Sequence, residues 1–215
     1  MGGIVASGMD FRADGVLFAS LNMVSDGGSG GDHLGIINTS TGESTVIGPF
    51  GNCPDTCNLD GIEAIAFDAE GNLWGSLRAS PTGSGTPGLY LINQSTGQAT
   101  FVAPILDSEG ASVPKRGVVS LQFSCDGTLY GGTARTSGET QDGGFLVTIN
   151  PDTGLFSYVG GVSATGGESL GGLAFERNCS AKVPALTEWG FIAISTILGL
   201  VAFYFLYRKR KALAA

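Results

Sequence analysis

The residues able to do chemistry in this chain are few and scattered. His33 is the only histidine, placed in Gly31-Asp32-His33-Leu34 at the lead into an apolar run. A lone imidazole at the start of a strand reads as a packed or solvent-facing residue, because a metal or nucleophilic centre needs partners in reach. Gly27-Gly28-Ser29-Gly30-Gly31 matches the Gly-x-Ser-x-Gly pattern of a serine nucleophile. A nucleophile elbow joins a strand to a helix, whereas this stretch is a glycine-rich loop between strands, so the match is coincidental. Asp26 and Asp32 flank the same loop and are candidate calcium ligands, since hard cations take carboxylate and carbonyl oxygens from flexible loops. The order of an EF-hand loop is missing. Glu63, Glu168, Asp107, Glu109 and Asp142 would be the carboxylates of a metal-dependent, lactonase-like centre. The acids that recur along the chain, Asp14, Glu70 and Asp126, sit instead in tight turns, where turn chemistry accounts for them. There is no His-Glu-x-x-His and no phosphate loop.

The thiols point to a compartment more than to a reaction. Cys53 and Cys57 lie four residues apart in a long connection and would close a small disulfide. Cys125 and Cys179 fall near the ends of corresponding strands, so a second bridge is possible; four cysteines permit three pairings and the sequence does not choose among them. Zinc would need further thiols or histidines nearby. Disulfides suit an exported protein. The chain carries a net charge of −8 and a pI near 4.5. Nucleic-acid affinity rests on clustered Lys and Arg, so no nucleic-acid partner is expected. Residues 1–188 are more acidic still, with 19 acids against seven bases, while Arg208, Lys209, Arg210 and Lys211 stand together at the far end.

The elements that would position these residues come from an internal repeat. Phe11-Arg12-Ala13-Asp14-Gly15-Val16-Leu17-Phe18 aligns with Phe67-Asp68-Ala69-Glu70-Gly71-Asn72-Leu73-Trp74 and with Phe123-Ser124-Cys125-Asp126-Gly127-Thr128-Leu129-Tyr130, at a spacing of 56 residues. Downstream, Asn38-Thr39-Ser40-Thr41-Gly42 aligns with Asn93-Gln94-Ser95-Thr96-Gly97 and Asn150-Pro151-Asp152-Thr153-Gly154. Both motifs are turns, the glycine supplying positive φ. With 36 glycines and no Gly-x-y period, the chain is rich in turns and is not collagenous. Two hairpins per copy give four short antiparallel strands every ~50 residues, the pattern of a β-propeller blade, with a β-sandwich or β-solenoid as alternatives. The expected fold is therefore all-β: propeller-like blades at about 4–50, 61–105 and 118–163 and a partial fourth at 169–176, within a domain of residues 1–177. Three blades and a fraction do not close a ring, and no signal peptide precedes Ile4, so the sequence reads as truncated at its N-terminus. Long Gly/Ser-rich connections, Ala19–His33, Gly75–Gly88 and Gly131–Gly144, share one face, which is where a ligand surface is expected.

A linker, 178–188, leads to Trp189–Tyr207, 19 residues without charge or proline. As a helix this would span about 28 Å, the thickness of a bilayer core, with the basic tail 208–215 kept cytoplasmic by the positive-inside rule. A single transmembrane α-helix is expected, with the body outside.

Two resemblances accompany these readings. Leu89-Tyr90-Leu91-Ile92-Asn93-Gln94-Ser95-Thr96-Gly97-Gln98-Ala99-Thr100-Phe101-Val102 resembles the degenerate repeats of bacterial extracellular propellers, which carry no specific activity. Val183, Pro184, Ala185, Leu186, Thr187, Glu188, Trp189 and Gly190, followed by the apolar span and Arg208–Lys211, resemble the IPTL-CTERM sorting signal, a relative of PEP-CTERM signals of Gram-negative bacteria. Val183 and Ala185 depart from that family's usual Ile and Thr. The resemblance implies a secreted protein of the bacterial cell envelope whose tail is recognised and removed by an exosortase-type enzyme.

Together these features describe an exported, non-catalytic binding or matrix module for a surface polysaccharide or protein, without an organic cofactor and with calcium as the one candidate ion. The alternatives are a calcium-dependent propeller hydrolase or lactonase, and an unprocessed membrane-anchored structural protein.

Overall fold

The computed structural model describes residues 4–23, 32–51, 61–77, 88–111, 117–133, 144–161 and 169–175. The chain divides into two units, Met1–Glu176 and Arg177–Ala215, and every described residue belongs to the first.

Twelve strands form three four-stranded antiparallel sheets. The first holds β1 (Ile4–Phe11), β2 (Leu17–Met23), β3 (Asp32–Ile37) and β4 (Ser44–Pro49). The middle sheet holds β5 (Ile62–Phe67), β6 (Leu73–Leu77), β7 (Gly88–Ile92) and β8 (Ala99–Ala103). The third holds β9 (Val118–Phe123), β10 (Leu129–Thr133), β11 (Phe145–Ile149) and β12 (Phe156–Gly161). Within each sheet, strands pair in chain order as a meander.

Local hydrogen bonding explains why the strands begin and end where they do. In the first turn of each copy, Arg12, Asp68 and Ser124 donate their N–H to the carbonyls of Val16, Asn72 and Thr128. The return bond comes from Gly15, Gly71 and Gly127, whose φ values of 88°, 85° and 83° are reached cheaply only by glycine. In the second turn, the side-chain oxygens of Asn38, Asn93 and Asn150 each accept two backbone N–H groups ahead of them, and the threonine before the glycine caps one more. Three unlike sequences thus fold the same two corners.

In the middle sheet β5, β6 and β7 are buried on both faces and read as nearly continuous apolar runs, while β8 at the edge is partly exposed. One face (Ile62, Ile65, Phe67, Leu73, Tyr90 and Ile92) packs against Phe18, Leu34 and Phe50 of the first copy. The other (Ala64, Ala66, Trp74 and Leu89) packs against Val118, Leu121, Leu129, Val147 and Ile149 of the third. The first strands lie side by side, β1 along β5 and β5 along β9. Each fully buried aliphatic side chain contributes about 1.5–3 kcal/mol.

Buried hydroxyls join one copy to the next. Ser20 Oγ donates to the Ile62 carbonyl (2.5 Å) and Ser76 Oγ to the Val118 carbonyl (2.9 Å), 56 residues on in both donor and acceptor. Asp10, buried on β1, accepts the Phe67 N–H at 2.8 Å. At the opposite edge Ala99 N–H donates to Phe50 and Phe156 N–H to Leu106, again at equivalent positions.

The expected propeller-plus-helix fold is corrected here. The described residues form three four-stranded sheets and contain no helix, and so none long and apolar enough to cross a membrane; the expected span 189–207, its linker and the basic tail lie outside them. The expected fourth-copy strand is also corrected. Residues 169–175 are no strand, because Gly171 and Gly172 favour neither pairing nor a fixed backbone and the segment is held by isolated bonds. Leu170 N–H donates to Thr133, and Ser120 Oγ donates to the Leu170 carbonyl at 2.7 Å. The long connections are shorter than their composition suggests. β2 runs on through Met23 and β3 begins at Asp32, β6 continues to Leu77 and β10 to Thr133, since buried backbone must keep its ladder partners.

Candidate functional site

The sequence-predicted site residues do not come together in the described part of the molecule. Asp26, Cys53, Cys57, Asp142, Glu168, residues 183–190 and residues 208–211 lie outside the described residues. Asp32 opens β3 opposite Asn22. His33 is half-buried in β3, opposite Leu21 on one side and Pro49 on the other. Glu63 is half-buried on β5. Asp107 closes a turn of its own, its Oδ1 accepting the N–H groups of Glu109 and Ala111. Among the described residues no three of His, Cys, Asp and Glu are placed to hold a metal ion.

What the fold does assemble among the described residues includes two clefts on the tight-turn face, each where turns of neighbouring copies meet. The first, about 630 Å³, is lined by Arg12 of the first copy and by Asn72, Asn93, Gln94, Ser95 and Gln98 of the middle one. Arg12 is fixed from three sides. Its guanidinium forms an ion pair with Asp14 at 2.7 Å, donates to Gln94 Oε1 at 3.1 Å and lies over the Phe18 ring at 5.1 Å. Gln94 in turn donates to the Gly71 carbonyl at 2.8 Å, so the cleft wall runs unbroken across two copies. Hydrogen bonding from Arg12 holds the Asp14 carboxyl below the usual carboxylate range.

The second cleft, about 410 Å³, is lined by Asp68, Glu70 and Trp74 of the middle copy and by Phe123, Cys125, Asp126 and Asp152 of the third. It has no cation. Trp74 Nε1 donates to Asp68 Oδ2 at 2.8 Å, and Asp68 also receives the Asn72 backbone and side-chain N–H groups, so this carboxylate is committed to the turn. Asp126 accepts bonds from the Ser124 hydroxyl and the Thr128 N–H; these hold its pKa at about 2, the Ser124 bond contributing most. Trp74 and Phe123, 6.3 Å between ring centroids, give the cleft an aromatic wall beneath an acidic rim. Cys125 beside it is disulfide-bonded, and the remaining cysteines, Cys53, Cys57 and Cys179, all lie outside the described residues.

Gln94 and Asp152 were not singled out from sequence as site residues. Both lie in the second-turn motif, at adjacent positions of it, and that motif was visible; but each cleft also needs the first turn of a neighbouring copy, which only the packing of sheets supplies.

No family model matches the chain, and no curated protein matches it. Among solved structures, the extracellular domain of a hybrid two component system from B. thetaiotaomicron is similar at 14% identity with a TM-score of 0.36. The match covers 74% of this chain and 22% of that one. A likeness of this size carries no argument about fold or ligand.

Proposed function

We propose that this protein is an exported binding module of the bacterial envelope that acts without catalysis. The observation that carries the reading is the second cleft, an aromatic wall of Trp74 and Phe123 under an acidic rim, bordered by turns that their own hydrogen bonds hold in place. Loops clamped by their own hydrogen bonds present side chains at fixed spacing, which favours recognition. The Cys125 disulfide supports an oxidising compartment. The sorting-signal resemblance over residues 183–211 supports export and an exosortase-type processing partner.

A hydroxyl-rich polysaccharide suits the second cleft best. Glu70 and Asp152 offer acceptor oxygens at its rim, and Trp74 with Phe123 offers an apolar wall against which a sugar ring lies. The test is binding of the full chain to an array of bacterial surface polysaccharides, with Glu70→Gln and Asp152→Asn as the cleft variants. Binding that falls about tenfold or more in the double variant, without turnover of the glycan, supports the reading. Hydrolysis of a glycan, ester or lactone overturns it in favour of an enzyme, and retention of a protein with no glycan bound overturns the ligand class. Mass spectrometry of the native termini in envelope and secreted fractions tests export; loss of the residues after about Glu188 is the expected result.

A further inference from the structure

Turns of neighbouring copies build the wall of the first cleft, and the side chains they bring to it are not dictated by the turns themselves. Arg12 follows the last residue of β1, where the second copy has Asp68 and the third Ser124, and all three close the same backbone turn. Gln94 and Ser95 likewise hold the places of Pro151 and Asp152 in the third copy. Arg12, Gln94 and Ser95 line the first cleft; Asp68, Pro151 and Asp152 line the second. The same places in the repeat therefore carry a guanidinium, an amide and a hydroxyl at one joint and two carboxylates at the next.

The first cleft is poor in anions within a chain that is rich in them. Residues 1–188 hold 19 acids against seven bases, yet no carboxylate is among the described residues that line this cleft. Two of its amide oxygens are spent inside the fold. Gln94 Oε1 accepts from Arg12 at 3.1 Å, and Asn93 Oδ1 accepts the N–H groups of Ser95 and Thr96 at 2.9 and 3.1 Å. The donors are not spent. An arginine has five N–H groups. Asp14 takes two, at Nε (3.0 Å) and Nη2 (2.7 Å), and Gln94 takes one at Nη1, which leaves two without a partner among the described residues. The Asn93 amide nitrogen lines the same cleft and is likewise without a partner among the described residues.

We infer that the first cleft is a carboxylate-binding subsite, and that the ligand of this face is a polysaccharide bearing uronic-acid units. The polymeric ligand rests on the binding function proposed above; the carboxylate preference of the cleft stands without it. The charge of the site selects the anion. Arg12 is shared with Asp14, so a monoanion is matched by the two remaining guanidinium N–H groups, whereas a phosphate dianion would be left uncompensated. Asp14, Gln94 and the Phe18 ring already hold Arg12, so little side-chain freedom is lost on binding. The two clefts share one turn, since Asn72 and Leu73 line the first and Asp68 and Glu70 the second. A chain crossing that turn places an acidic sugar beside Arg12 and another ring against Trp74 and Phe123.

The experiment is calorimetric titration of the full chain in mild detergent with an oligogalacturonide, with the same oligosaccharide after reduction of its carboxyls to alcohols, and with free galacturonate. The acidic oligosaccharide is expected to bind about tenfold or more tighter than its reduced form, the worth of a charged hydrogen bond. Arg12→Gln abolishes that preference without weakening the reduced form, and Arg12→Lys keeps part of it. Asp14→Asn releases the guanidinium and strengthens binding of the acidic form about threefold, a gain that an arginine merely bracing two turns would not give. Circular dichroism confirms that each variant is folded; where Arg12→Gln does not fold, Arg12→Lys and Asp14→Asn carry the test. Equal binding of the two oligosaccharides overturns the carboxylate subsite and leaves the polysaccharide reading standing. Binding of free galacturonate that Arg12→Gln abolishes and the Glu70→Gln, Asp152→Asn double variant leaves unchanged supports the subsite even where the reduced oligosaccharide does not bind. Absence of binding by all three, or a preference for the acidic form that survives Arg12→Gln, overturns the inference.

Discussion

Gly42 and Gly97 hold the same turn with nearly the same φ, 76° and 81°, yet they stand in different surroundings. Alanine at Gly42 meets only the left-handed backbone penalty, about 1–2 kcal/mol. At Gly97 the added carbon must also push back the Gly48 carbonyl, so Gly97→Ala is expected to cost about 3 kcal/mol or more. Chemical denaturation of the two variants side by side separates backbone strain from packing; equal losses would remove the tight joint from the account. Asp126 offers a second residue-scale check. Its folded-state pKa is depressed to about 2 from an unfolded value of 3.8, so its stabilising effect is present above about pH 4 and is lost as pH falls through 2. Carboxyl NMR titration should place the midpoint near 2, and Ser124→Ala should raise it toward the ordinary range, because the Ser124 hydroxyl is the main cause of the shift.

Hairpins are the level at which the sequence was most legible. The acid-Gly and Asn-x-x-Thr-Gly corners are closed by bonds within five residues, so their chemistry is local and the strands lie where the corners place them. Exposure was not legible, because it depends on packing between copies; Met9, Ile65 and Leu121 hold the same place in the repeat, yet Ile65 and Leu121 are buried and Met9 is exposed. The clefts were missed for the same reason, since Arg12 meets Gln94 only once two sheets have packed. The strand-joining serines test this coupling. Ser76→Ala leaves the buried Val118 carbonyl without its hydroxyl donor, at an expected cost of about 1–3 kcal/mol. Amide hydrogen exchange should quicken along β6 and β9 and stay unchanged in β1–β4; a uniform change would mean the hydroxyl supports the whole body and not one joint.

Among the described residues, bonds within a sheet outnumber those between sheets, where a hydroxyl and an edge N–H cross each boundary and a buried carboxylate crosses the first. The joints also have a direction, since the earlier copy supplies the joining serine and the later one its acceptor carbonyl. For a protein pulled by its two ends, this difference sets an order of failure. Tension reaches the few bonds between copies before it shears the ladders inside them, so extension should proceed in discrete events, each releasing about 56 residues, or ~190 Å of slack chain. Single-molecule force spectroscopy would show a sawtooth with that spacing, altered where the Cys125 disulfide locks chain length, and a single all-or-none rupture would mean that the three copies yield as one. A body that gives way by instalments absorbs mechanical work without losing its connection.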